Sequence, residues 1–538
     1  MTTVELNAAP MPREHRWWLG IIVLAVIYGL SVNNYWAVSP DAGLYLSLGR
    51  SLAEGRGMEY NGVQWWSIPP VLPFLIGGCR LLTGDDLWLV NVVLRLAAIT
   101  TIMLGAMTVR RVGARHLSLG VLLVAGSSAY LYLIATRVQT DVIFAGLAAA
   151  GLYGFARGLT GSALWILLGG GALLVATMTR LHGVLFLVGA VAAMLLTWRE
   201  PRFRWRLAAT AIVVVLALAV FFFWSTRVRT LVDPAGADYF TTLKARWLTM
   251  LDTTHRDQML DGLANFPRAT FSAIMGQQPR WGIAAAPAIV IVLGLVSMAR
   301  RREWIIVLPT VFYVGFFLFW GGSAVARRYF LPAMPFMVYA LLVGTETIAG
   351  WVHRLRNRRR EAAAPATGWV GRTAVIVVVA ICMATSIPKV IREIWWMRQP
   401  DFYSIYDHGR WKDWVALGEY LGKHGRPGID RVVSPECGVV GYYSRLRVLT
   451  PGVWSGTEDW ATMSIRPREY AEAINLTGYR YGVVPLNMSE WSVAAKEEMA
   501  ATAGYPILPK VCGSLAVYDR LEFDEDTGAA GPQPGDKM

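Results

Sequence analysis

Apolar runs recur along this chain, and several are long enough to cross a lipid bilayer. They fall near residues 17–38, 87–109, 117–135, 141–157, 162–178, 183–198, 207–226, 283–299, 304–321, 330–350 and 373–394. A helix rises about 1.5 Å per residue, so about 20 apolar residues cover the hydrocarbon core. The spacing predicts a mainly α-helical polytopic membrane protein with about 11 transmembrane helices. Composition agrees: 55% of the 538 residues are hydrophobic and only 16% are charged, where a soluble domain carries about a quarter.

The net charge of +14 would suit a nucleic-acid binder, but its location excludes that class. Arg110, Arg111, Arg115, Arg157, the stretches 199–206 and 353–372, and "RRRE" at 300–303 lie in short loops and account for the whole excess. Bases gathered in alternate short loops mark the cytoplasmic side of a membrane protein. No soluble basic face is left to hold nucleic-acid phosphates. The expected topology has a cytoplasmic tail at 1–16, a transmembrane domain at 17–394 and an extracytoplasmic C-terminus, in the cytoplasmic (inner) membrane. The first run is long and lacks a small-residue cleavage pattern, so it is expected to stay in the mature chain.

Three sizeable segments are expected outside. The first, 39–86, ends in "IPPVLPFLIGGCRLLTG", apolar for only about 14 residues and therefore interfacial or re-entrant. The second, 227–282, is rich in Arg, Asp and Trp. The third, 395–523, alternates strand-like runs ("DRVVSPECGVVGYY", "YRYGVVPL", "SLAVYDRLEF") with helical ones ("WVALGEYLGKHG", "PREYAEAINLTG"). That alternation predicts a small C-terminal α/β domain. Residues 524–538 have the composition of a disordered tail. Cys79 and Cys382 lie in apolar segments and read as packing residues. Cys437 and Cys512 share the external domain, where a disulfide between them is chemically allowed. "NLT" at 475–477 and "NMS" at 487–489 match sequons that also arise by chance.

Just past the first run stands "SPDAGLYLSLGRSLAEG", residues 39–55. Ser39 suits an N-cap, Pro40 the first helical position and Asp41 the positive end of the helix dipole. Leu44, Tyr45, Leu48 and Leu52 then form one apolar stripe, fit to lie on the membrane. Taken alone, the acid is explained by capping.

The wider series resembles the first external loop of GT-C glycosyltransferases. It is similar to the bacterial family-39 enzymes related to protein O-mannosyltransferases and to the lipid A aminoarabinose transferase. Asp41, Tyr45, "LAEGRGMEY" and "PPVLP" at 69–73 carry the likeness. So do "TRVQTDV" at 136–142, "MTRLHGVLF" at 178–186, "RRYFLPAMP" at 327–335 and "VVSPECGVVGYYSRLRVL" at 432–449, which resembles a strand–glycine–strand of the external domain. The chain departs from the pattern at Ala42, where many relatives have Glu, and at Val71, where Gly is commoner. His182 lies near the position of a family glutamate.

The resemblance implies a cell-envelope enzyme that moves a sugar from a polyprenyl-phosphate donor to an acceptor hydroxyl at the outer membrane face. The acceptor class stays open among lipid, glycan and protein. A carboxylate must take the acceptor proton, and Asp41 fits that role, with inversion at the anomeric carbon. Asp141 is a helix cap or a second acid. The leaving phosphate calls for cationic support, and Arg137, Arg180, Arg327 and Arg328 are the candidates. Tyr45, His182 and Tyr329 complete the expected substrate-binding set. His182 and His255 are alternatives for metal or acceptor contact. No motif requires a cofactor, no ligand spacing defines a metal site, and a divalent metal ion stays an open alternative. Two other classes stand beside the enzyme. A transporter or flippase would place ionisable residues in mid-span, where Arg95 and Glu346 are the notable ones. An inactive relative would serve as an envelope scaffold.

Overall fold

A computed structural model describes residues 15–60, 63–64, 68–197, 203–231, 253–276, 280–320, 327–357, 367–400, 402–405, 411–427, 429–434, 437–449, 481–485, 510–512 and 515–519. The chain divides into two compact units. One comprises Met1–Asn34, Pro69–Val71 and Trp88–Met397, the other Tyr35–Ile68, Leu72–Leu87 and Arg398–Met538.

In chain order the first elements are helices α1 (His15–Gly29), α2 (Pro40–Ala53), the small hairpin β1 (Glu59–Tyr60) and β2 (Val63–Gln64), α3 (Val71–Thr83) and α4 (Trp88–Val112). Helices α5 (Ser118–Gly126), α6 (Ala129–Ala135), α7 (Thr140–Thr160), α8 (Leu164–Thr177), α9 (Gly183–Leu195) and α10 (Phe203–Leu231) come next. Then come α11 (Thr253–Met275), α12 (Trp281–Arg300), α13 (Trp304–Trp320), α14 (Met334–Asn357) and α15 (Thr367–Met397). The C-terminal part holds α16 (Phe402–Ile405), α17 (Lys412–His424), β3 (Arg431–Val433), α18 (Cys437–Ser444) and β4 (Arg447–Leu449). It ends with β5 (Tyr481–Pro485), β6 (Lys510–Cys512) and β7 (Leu515–Asp519).

Each of the apolar runs is helical over at least part of its length, and the protein is a multi-pass membrane protein. Among the described residues five helices are long and apolar enough to cross by themselves: Trp88–Val112, Thr140–Leu159, Gly282–Arg300, Arg328–Leu355 and Trp369–Met397. The run at 117–135 is not one straight span. It breaks by 56° between Gly126 and Ala129, because Ser128 starts a new helix: its Oγ accepts from Leu131 N at 3.3 Å and donates to Ala273 O at 3.1 Å. The first run is helical only from His15 to Gly29. Eleven crossings would therefore require α1, α8, α9, α10 and α13 to cross as well.

Helices α7 and α14 are the most enclosed, while α12 and α15 turn apolar side chains such as Ile289, Ile376 and Ile391 outward. Such surface is stable against lipid, and helices satisfy every backbone group internally. Small residues let helices approach: a Cβ on Gly294 would run into the Ala340 carbonyl, and one on Gly344 into that of Val290. That close approach binds α12 to α14. Buried Arg95 ties three segments together. It donates to Ser31 O (3.0 Å), Ser31 Oγ (3.3 Å), Asn91 Oδ1 (2.9 Å) and Ala135 O (2.6 Å), the last a carbonyl at the end of α6.

In the second unit the sheet has order β4-β3-β5-β7-β6. β3 pairs in parallel with β4 and β5, and β7 pairs antiparallel with β5 and β6. The α/β character expected of the C-terminal region is present. Residues 437–444 are helix α18 rather than strand, so 431–449 is strand–helix–strand, the connection two adjacent parallel strands require. Helix α3 is short, as its apolar length predicts. The stripe on α2 serves the protein rather than the lipid: Leu48 is buried with Met58 and Tyr60, with Leu44, Leu52 and Ile68 packed on them. Cys79 and Cys382 are buried and unbridged. The side chains of Cys437 and Cys512, the segment "PREYAEAINLTG", both sequons and the tail 524–538 lie outside the described residues.

Candidate active site

Asp41 stands in the first turn of α2. Ser39, extended at φ −151°, is the N-cap, and its hydroxyl accepts from Ala42 N at 3.3 Å. Pro40 occupies the next position, where a missing N–H costs nothing. The helix start is the one expected from sequence, with Ser39 as the cap and Asp41 in the first turn. Asp41 and Tyr45 are half-buried.

The helix is held from two sides. A Cβ on Gly43 would collide with the Gly438 carbonyl of α18, and one on Gly49 with Ile76 of α3. Beneath the start of α2 lies an aromatic layer that sequence alone does not single out. Trp36 Nε1 donates to Tyr443 OH at 3.0 Å, and Tyr443 OH donates to Tyr403 OH at 2.8 Å. Burial, with Tyr443 alongside, holds the Tyr403 phenol well above its ordinary pKa. These phenols are neutral, and they pack and hydrogen-bond around Trp36, five residues before Asp41.

Unit one brings together a second group. Asp141, 1% exposed, lies in the first turn of α7. Arg180, from the turn between α8 and α9, grips it: Nη2 donates to Oδ2 at 3.1 Å, and Nη1 lies 3.0 Å from Oδ1 in ionic contact. Arg180 Nε donates to Thr140 Oγ1 at 2.8 Å. The guanidinium also stands over the Tyr329 ring, 5.2 Å from its centroid, with that of Arg328 at 5.5 Å. Tyr329 stacks on Phe317 at 4.8 Å. His182 sits among Phe317 (5.0 Å), Phe316 (5.5 Å) and Tyr329 (6.2 Å). Its ring keeps some accessible surface, yet burial and the Arg180 charge push its pKa down to about 3. It is a neutral imidazole at ordinary pH.

Of the residues expected from sequence, Asp141, Arg180, His182, Arg328 and Tyr329 converge. Arg327 opens the turn Arg327–Ala333, its side chain outside the described residues. Arg137 falls within electrostatic range of Glu393 on α15. Asp41 and Tyr45 belong to the other unit. Thr140, Phe316 and Phe317 are additions that only the tertiary structure reveals. Among the described residues no three His, Cys, Asp or Glu side chains gather as metal ligands.

Residues 67–224 match a family model described as dolichyl-phosphate-mannose-protein mannosyltransferase. The fold is similar to that of ArnT from Cupriavidus metallidurans bound to undecaprenyl phosphate. The TM-score is 0.58 at 16% identity, over 97% of this chain and 100% of that one. The apo form of the same enzyme gives 0.58 at 15% identity over the same shares. An Archaeoglobus fulgidus oligosaccharyltransferase, tethered with an acceptor peptide, gives 0.53 at 10% identity over 92% of this chain and 72% of that one. No curated protein sequence matches. The family model covers less than a third of the chain, and at these identities the solved structures establish a likeness of fold.

Proposed function

We propose that this protein transfers a sugar from a polyprenyl-phosphate-linked donor to an acceptor hydroxyl at the outer face of the cytoplasmic membrane, with Asp41 as general base. The donor class rests on the similarity to ArnT, which is seen with undecaprenyl phosphate. The acceptor oxygen gives its proton to the Asp41 carboxylate and bonds to the anomeric carbon. The anomeric carbon–oxygen bond breaks, its electron pair staying with the phosphate, and polyprenyl phosphate leaves. Direct displacement inverts the anomeric centre. Arg328 and Arg180, with Arg327, are assigned to the departing phosphate, whose charge needs fork-shaped donors and no general acid. Asp141 is then a positioning residue that holds Arg180. The topology proposed with this role is N-terminus in the cytoplasm, with 39–86, 227–282 and 395–538 outside.

The observation that carries the assignment is the setting of Asp41, half-buried in the first turn of a helix that Ser39 caps and that packs against α18 at Gly43. The test is transfer from radiolabelled polyprenyl-phosphate sugars in membranes containing the full chain. Asp41→Asn keeps size and helix geometry and removes the base, so transfer is expected to vanish at unchanged protein level. Equal activity in the variant overturns the role of Asp41, and no transfer by the unaltered protein from any such donor overturns the function.

A further inference from the structure

Away from Asp41, the second unit sets three guanidiniums near one another, two of them on one carboxylate. Arg50 lies in the last turn of α2, nine residues on from Asp41 and so about 14 Å along the helix. The crossing of Gly49 with Gly77 brings the backbones of α2 and α3 together, which sets Arg50 beside Arg80 of α3. The Gly43–Gly438 approach brings up α18, whose end supplies Tyr442 and Arg445. Arg445 is held at φ 59°, a left-handed conformation uncommon outside glycine.

Arg50 Nη1 donates to Tyr442 O at 2.8 Å, and its Cζ stands 4.4 Å from the centroid of the Tyr442 ring. Arg80 is 5% exposed and pairs through Nη2 with Asp85 Oδ1. Arg445 Nη2 reaches Asp85 Oδ2 at 3.2 Å. Asp85 thus bridges two of the three cations. Burial, with Arg80 and Arg445 nearby, lowers the pKa of Arg50 despite the Tyr442 contact. Two donors have no hydrogen-bond partner among the described residues: Arg50 Nε and Arg80 Nη1, both buried. A buried donor left without an acceptor is costly. The cluster is closed on the Arg50–Arg80 side and open to solvent at Arg445 and Asp85, whose side chains are mostly exposed.

We propose that Arg50, Arg80 and Arg445 form a phosphate site for the headgroup of an anionic glycerophospholipid, with its acyl chains along α3. Fork-shaped donors in excess over carboxylate match a phosphodiester oxygen pair. The apolar residues beside Arg80 favour a lipid over a soluble phosphate. Leu81 and Leu82 are 72% and 80% exposed, and Phe74 on the same short helix is also exposed. A helix of 13 residues is too short to cross and is built to lie in the interface. The site docks the second unit on a charged membrane surface and is separate from the reaction at Asp41.

The test uses purified full-length protein in detergent, with native mass spectrometry and binding titrations. The probes are dioctanoyl phosphatidylglycerol, dioctanoyl phosphatidylcholine and inorganic phosphate. Phosphatidylglycerol is expected to bind best. Arg445→Gln should weaken it about tenfold, and Asp85→Asn, which removes the competing carboxylate, should tighten it by a similar factor. Both changes are at exposed side chains, so they test the site even where Arg80→Gln does not fold. Unchanged phosphatidylglycerol affinity in both variants overturns the site. Inorganic phosphate binding as tightly as the lipid overturns the lipid as its occupant.

Discussion

The Asp141–Arg180 pair gives the sharpest energetic test of the first unit. Asp141 is 1% exposed and the Arg180 side chain 14%, so both charges are largely out of water. Asp141→Ala leaves Arg180 with Thr140 Oγ1 and the Tyr329 face but no counter-ion. Breaking a buried pair from one side costs about 3–5 kcal/mol. Asp141→Asn keeps one amide oxygen for Arg180 and loses the charge, an expected cost of about 1.5–3 kcal/mol. Removing both charges, as Asp141→Ala with Arg180→Met, takes away the stranded cation. The double variant should then be at least about 1 kcal/mol more stable than Asp141→Ala alone.

The assay is unfolding of the purified full chain in mixed dodecylmaltoside–SDS micelles, followed by tryptophan fluorescence. A cost for Asp141→Ala below about 1 kcal/mol would place the pair in water and refute the argument. So would strict additivity of the two single changes, since contacting charges must couple. The same variants separate holding from chemistry. If Asp141 positions Arg180, Asp141→Asn should raise KM for donor while keeping measurable kcat, whereas loss of a catalytic acid would abolish turnover.

His182 supplies a pH test. Its pKa is about 3 when folded and 6.5 ordinarily, so the unfolded chain binds more protons between those values. Stability should fall as pH drops from about 6.5, by up to about 1.4 kcal/mol per unit, and His182→Phe should flatten that slope in micellar unfolding. Gly43→Ala sets a Cβ against the Gly438 carbonyl, and should lower the unfolding midpoint and expose α2 to limited trypsin digestion. Arg328→Ala should lower kcat and raise KM for donor, Arg328→Lys less so, measured on purified protein; a pure interface anchor would change yield alone. A reporter fused after residue 538 should appear outside the cytoplasm and one within 355–370 inside.

The helices of the first unit were legible because burial in lipid demands long apolar runs, and nothing else in a sequence looks like them. The break at Ser128 was not, since a run such as "GVLLVAGSSAYLYLIA" keeps its hydrophobicity through the bend. The run "CGVVGYYS" reads as strand or helix with equal ease, because eight apolar residues have too little period to decide. Its packing decides: the backbone of Gly438 lies where a Cβ on Gly43 would stand. Asp41 was legible from local order, Ser-Pro-Asp before an amphipathic helix. The grip of Arg180 on Asp141 was not, for the two stand 39 residues apart, and a residue's partner across such a gap is fixed by packing alone.

The buried arginines differ in how their charge is met, and that difference tells what each is for. Arg95 spends its donors on backbone carbonyls, a serine and an asparagine amide. Partial charges in fixed positions satisfy it without a carboxylate, so it locks three segments and has little to offer a ligand. Arg180 has a full counter-charge in Asp141. In the proposed role it would meet a phosphate only by sharing that charge, which suits a group that must release its product rather than retain it. Arg80 shares one acid with Arg445, and Arg50 and Arg80 keep two buried donors without acceptors among the described residues. A site in that condition gains most from an anion that stays. A phosphate lipid that dwells at α3 and a phosphate that comes and goes at Arg328 and Arg180 would thus be held by the same side chain, tuned in opposite directions by the carboxylates around it.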